Sequence, residues 1–154
     1  MPVGTVTKYN SLEKTITADA NRQWDDATAG NIMFILAGNI YTPAATHSTT
    51  ADLTDVITVG DGAPIAATGL AIDNTTTAGT TYFDSDDANF GAAVTITAKY
   101  LIAIQPVTAN TYDASTSNLL FYVDLDTTSS SAEVSSIASD FVVYAPANGW
   151  FKTV

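Results

Sequence analysis

Cysteine is absent from this 154-residue chain, so disulfides and thiolate metal sites are both excluded. Basic residues are scarce: five Lys and Arg stand against 16 Asp and Glu, a formal charge of −11 at pH 7. Neutralising a phosphate backbone requires clustered Lys and Arg, and the chain offers one arginine, Arg22, and scattered lysines. No nucleic-acid partner is expected, and no anionic membrane. Long apolar runs are also missing, since the longest, Ile32 to Ala37, falls far short of the ~20 residues of a membrane helix. The opening Met1-Pro2-Val3-Gly4-Thr5 has no basic segment leading into an apolar one, so no secretory signal is expected and the protein is predicted to be soluble.

What is present is apolar and β-branched. With 46% hydrophobic residues and only 14% charged, the chain is predicted to pack a core despite its acidity. A chain of this length buries roughly 70% of its unfolded surface and needs no staples. Thr, Val and Ile fit a pleated surface better than a helix. From Val94 to Ile104 every even position is apolar, which reads as one strand with a core face. Leu119, Phe121, Val123 and Leu125 repeat the pattern, with Tyr122, Asp124 and Asp126 opposite them. The run Ile32 to Ala37 is apolar on both faces and reads as a central, doubly covered strand.

Further strands are predicted at Asp55 to Val59, Gly69 to Asp73, Thr80 to Asp84, Phe141 to Tyr144 and Trp150 to Val154, separated by Gly, Asn, Asp, Ser and Pro clusters. The expected class is all-β, a β-sandwich or jelly-roll-like domain over residues 10–154 with one or two short helices. Asn10 and Glu13 have capping-box spacing ahead of Ile16, and Thr49 to Leu53 can form a single turn. Residues 1–9 contain Pro2 and Gly4 and no helical period, so they are expected as an extended N-terminal arm not required by the core.

Three constellations carry candidate chemistry. His47, in His47-Ser48-Thr49-Thr50-Ala51-Asp52, has no nucleophile elbow near it and reads as a loop histidine with local bonds. Asp84-Ser85-Asp86-Asp87-Ala88-Asn89 begins like a calcium loop, but Ala88 and Asn89 occupy the fifth position and the turn glycine, and Thr95 replaces the closing glutamate. It reads as a solvated turn. Asp124 and Asp126 share a strand face at ~6.5–7 Å, a spacing that inverting glycosidases use but that every strand provides. No catalytic, metal or cofactor residue is therefore assigned, and the expectation is a protein that is not an enzyme.

Candidate contact residues lie elsewhere. Trp24 sits in a polar stretch outside the clear strands, and Trp and Tyr are enriched at interface hot spots. Leu120, Tyr122, Val142 and Tyr144 fall on faces that a lone sandwich would leave wet, which predicts a homo-oligomer, a dimer or trimer. Val3, Thr5 and Val6 are placed to enter apolar pockets or a sheet edge on a neighbouring subunit.

Several segments, in order, resemble a family of small virion proteins of tailed bacteriophages. They are Tyr9-Asn10-Ser11-Leu12-Glu13, Tyr41-Thr42-Pro43, Thr46 to Thr54, Phe83 to Asp87, Thr95 to Ile102, Leu120 to Leu125, Asp140-Phe141 and Asn148-Gly149. The resemblance implies a structural component of the particle without catalytic residues. Within that class the expectation is a capsid decoration, or cement, protein. It would be made in the bacterial cytoplasm, bind the major capsid protein of the same virus and lie on the outer surface of the capsid. The alternative is a tail- or fibre-associated receptor- or glycan-binding module. A fibre subunit would more often carry repeats or coiled-coil heptads, and neither is found in the sequence.

Overall fold

The computed structural model describes residues 4–12, 31–73, 81–128 and 132–153. Regular structure there is almost entirely strand: β1 (Val6–Lys8), β2 (Met33–Ala37), β3 (Val56–Ile57), β4 (Ile65–Ala66), β5 (Ala71–Asp73), β6 (Thr81–Asp84), β7 (Ala88–Asn89), β8 (Val94–Ala98), β9 (Tyr100–Gln105), β10 (Asn118–Asp124), β11 (Val134–Ser139), β12 (Val142–Val143) and β13 (Phe151–Thr153). Residues 10–12 are helical, and Thr50–Asp52 and Gly60–Gly62 form 3-10 turns. Glu13 and Ile16, expected to continue the first helix, lie outside the described residues. The class is all-β. Among the described residues its strands form four sheets, of six, two, two and three strands.

The six-stranded sheet runs β1-β10-β9-β2-β3 with β4 also on β2, all antiparallel. Its centre explains the apolar run seen in the sequence. All five residues of β2 are buried because they serve two clusters: Phe34 and Leu36 on one face, Met33, Ile35 and Ala37 on the other. The register carries the division across the sheet, with Leu36 opposite Leu101 and Phe34 opposite Ala103 on the first face, and Ile35 opposite Ile102 on the second. The first face is joined by Val94, Ile96 and Ala98 of β8, Phe83 of β6, Val143 of β12 and Phe151 of β13, so strands from the three smaller sheets share its core.

Trp150 is the largest side chain in that core. It lies between Phe34 and Phe121, with ring centroids at 5.3 and 5.5 Å, and its indole N–H donates to Ser85 Oγ at 2.8 Å. The bond matters because a buried indole N–H without an acceptor would be costly.

Two expectations about phase are corrected. Val94 to Ile104 is two strands in different sheets, broken at Lys99. Even residues face the main core in β8, whereas odd residues Leu101 and Ala103 do so in β9. Lys99 carries the crossing: its N–H donates to the Ala37 carbonyl at 2.8 Å, and its own carbonyl accepts from Leu125 N–H at 2.8 Å. In β10 the pairing shifts between Leu119 and Phe121. The bulge turns Leu119 to the second face and buries Leu120 in the main core, so Leu120 is not the wet apolar residue that strict alternation predicts.

Of the N-terminal segment, Val6–Lys8 is an extended strand that lies along β10 of its own sheet. Val6 pairs with Val123 and packs, partly buried, against the main core of its own domain. Gly4 follows the same edge so closely that a Cβ there would stand 2.4 Å from the Asp124 carbonyl oxygen. Tyr9 then enters the core, 1% exposed, with its N–H on the Leu120 carbonyl at 3.0 Å.

Candidate functional site

The second face of the six-stranded sheet carries the polar chemistry. Antiparallel register sets Thr7 opposite Tyr122 and Tyr100 opposite Asp124, and side-chain alternation puts Tyr122 and Asp124 on the same face of β10. Over these residues opens a broad groove of about 790 Å³. Thr5 and Thr7 of the N-terminal segment, Thr42 and Pro43 of the loop after β2, and Asp126 also line it.

Four tyrosines brace its floor. Tyr122 packs against Tyr9 at 5.3 Å and meets Tyr100 edge-on at 5.9 Å, and Tyr100 meets Tyr41 edge-on at 5.9 Å. The Tyr9 and Tyr41 hydroxyls, 2.8 Å apart, close the ring. Tyr41 also bonds His47 Nδ1 at 3.0 Å, which gives the lone histidine the local partner the sequence predicts. Burial, and then the bond to Tyr41, push the Tyr9 phenol far above its ordinary value. Burial also raises Tyr41 and Tyr100.

Beneath the floor lies Lys99, whose side chain is 6% exposed. Its ammonium donates to Asp124 Oδ1 at 3.0 Å and stands 5.4 Å from the centre of the Tyr100 ring. The same Asp124 oxygen accepts the Asp126 N–H at 3.0 Å, while Asp126 Oδ1 accepts the Thr128 N–H at 2.9 Å. The two carboxylates that match a glycosidase spacing thus act as an ion-pair partner and a turn cap.

The other acidic constellations are used in the same way. Asp84 Oδ1 accepts Ser85 N–H, Asp86 Oδ2 accepts the Thr68 hydroxyl and Asp87 Oδ1 accepts Ala145 N–H, at 2.9, 2.9 and 2.8 Å. Among the described residues no three His, Cys, Asp or Glu side chains are grouped to hold a metal ion. Asp52 turns its carboxylate to the Ser48 and Thr49 N–H groups and not to His47, and those bonds hold it below the usual carboxylate range.

Of the predicted contact residues, the structure brings together Thr5 and Tyr122 at the groove and leaves Tyr144 apart, 52% exposed just beyond β12. Val3 and Trp24 lie outside the described residues. Tyr9, Tyr41 and Lys99 were not singled out by sequence pattern. For Lys99 a local signal exists, a charge between Ala98 and Tyr100 where two apolar alternations of opposite phase meet; the tyrosine ring has none. No family model matches the chain, and no similar curated protein or solved structure is found.

Proposed function

We propose that this protein is a structural component of a tailed-bacteriophage particle, a decoration protein that binds the outer capsid shell as a small oligomer and stiffens it. One observation carries the reading. The segments that resemble the phage virion family supply Tyr9, Tyr41, His47, Lys99, Tyr100, Tyr122 and Asp124, and these residues, scattered along the chain, meet on one face of one sheet. Exposed Val59, Ile137 and Tyr144 offer apolar contact area of the kind a shell-binding subunit uses.

The mechanism is mass action: a subunit that binds only the assembled shell stabilises that state by its binding free energy. Labelled antibody on intact particles, with copy number per particle, tests the reading. Hundreds of copies spread over the head are expected; a few to a few tens at the tail would instead support the receptor-binding alternative, which the open groove favours.

A further inference from the structure

The groove over Tyr100 and Tyr122 is built more firmly than a surface hollow requires. Its volume of about 790 Å³ falls inside the ~300–1,000 Å³ range of small-molecule sites. Each ring is packed against another tyrosine, Tyr122 against Tyr9 and Tyr100 edge-on against Tyr41, so a ligand would meet an aromatic floor that loses little freedom on binding. Among the described residues the Tyr100 and Tyr122 hydroxyls make no hydrogen bond, nor do those of Thr5, Thr7 and Thr42. Asp124 spends one oxygen, Oδ1, on Lys99 and on Asp126 N–H, which orients the carboxylate and leaves Oδ2 without a partner among these residues.

These groups define a ligand. A carboxylate only accepts, and tyrosine and threonine hydroxyls do both, so the occupant must present several donors and acceptors together with an apolar face for the rings. An anion is opposed by the net charge of −11 and by Asp124 and Asp126, while the nearby cation, Lys99, is buried and already engaged. An extended peptide adds to a sheet through free backbone groups; the floor strands β10 and β9 are each paired on both sides, and the one open edge at the groove is that of the three-residue β1. We propose that this groove is a binding site for a neutral saccharide, with a sugar C–H face on one of the two tyrosine rings and its hydroxyls on the Tyr100 and Tyr122 phenols, Asp124 and the threonines. The inference does not depend on where in a particle the protein sits.

The test is a titration of the full-length protein with neutral oligosaccharides of glucose, galactose, mannose and N-acetylhexosamines, with sialylated and sulfated glycans as the opposing set. Tyrosine-ring resonances report binding. At least one neutral series should saturate and shift the Tyr100 and Tyr122 signals. The double variant Tyr100→Phe with Tyr122→Phe, which keeps the ring packing, should bind about ten-fold more weakly at an unchanged Tm. Failure of every neutral series to saturate at millimolar concentration would overturn the proposal. So would equal affinity in the double variant, preference for the anionic glycans, or occupation of the groove by a capsid-protein peptide in place of a sugar.

Discussion

The hydroxyls of Tyr9 and Tyr41 lie 2.8 Å apart, joining a residue at the end of β1 to one in the loop after β2. Tyr41 is the hinge of a relay, since it also bonds His47, whereas Tyr9 has Tyr41 as its hydroxyl partner among the described residues. Tyr41→Phe therefore strands a buried hydroxyl and should cost about 1–3 kcal/mol, while Tyr9→Phe leaves Tyr41 bonded to His47 and should cost about 0.5–1.5 kcal/mol. Urea unfolding of both variants checks the order, and equal or reversed losses would contradict it.

The tyrosine ring also sets an alkaline limit. Tyr9, Tyr41, Tyr100 and Tyr112 have raised phenols, chiefly through burial. Above pH 10 the unfolded chain releases these protons and the folded chain keeps them, so stability should fall as pH rises, by ~1.4 kcal/mol per pH unit for Tyr9 alone. At the acid end Asp113, held down to about 2 by the N–H and hydroxyl of Ser115 and by Thr116, contributes stability that is lost as pH falls from the ordinary carboxylate range through that value. Unfolding curves across pH should show a plateau between these limits, and Tyr9→Phe should flatten the alkaline slope.

Lys99 and Asp124 are unequal partners. The lysine side chain is 6% exposed and the aspartate 39%, so the aspartate can be hydrated when the pair is broken, whereas the buried ammonium loses its carboxylate and keeps weaker contacts such as the Ala132 carbonyl at 3.5 Å. Asp124→Ala should cost about 1–3 kcal/mol, discounted from the fully buried case for the exposed carboxylate, and Lys99→Met should cost less. Chemical denaturation of the two variants decides it; a larger loss in Lys99→Met would place the burial penalty on the wrong partner.

Calcium and magnesium should be dispensable to the fold. The carboxylates of Asp84, Asp86 and Asp87 are each bonded to protein donors, and a Cβ at Gly69, whose φ is +60°, would stand 2.4 Å from Asp86 Oδ1. Chelation should leave Tm unchanged. A fall of several degrees restored by calcium would contradict this, and Gly69→Ala should lower Tm in either buffer because it strains the backbone and displaces Asp86.

Removal of residues 1–7 should weaken the fold by about 1–3 kcal/mol, since it takes away most of a paired edge strand and the partly buried Val6. Thermal unfolding of the truncated protein measures the effect. Unchanged Tm would mean that β1 contributes nothing to its own sheet.

Much of the β content follows from local chemistry. The doubly apolar β2 and the alternation of Val94, Ile96 and Ala98 were legible in the sequence, because side-chain period reports which residues of a strand share a face. The pattern could not report which sheet the face belongs to. The charge of Lys99 marks a break between two apolar stretches, but nothing local announces that the chain passes there to another sheet, or that a bulge puts Leu120 and Phe121 on the same face; both depend on pairing with strands far along the chain. Strands β1, β4, β7 and β11 were missed for a related reason: they are short or rich in polar residues, and hydrogen bonding to a neighbour defines them more than their own composition does. The groove shows the same division. Sequence supplied its tyrosines, threonines and aspartates and singled out Thr5 and Tyr122, but the ring of Tyr9, Tyr41, Tyr100 and Tyr122 exists only in three dimensions, because antiparallel register and the loop after β2 bring those residues together.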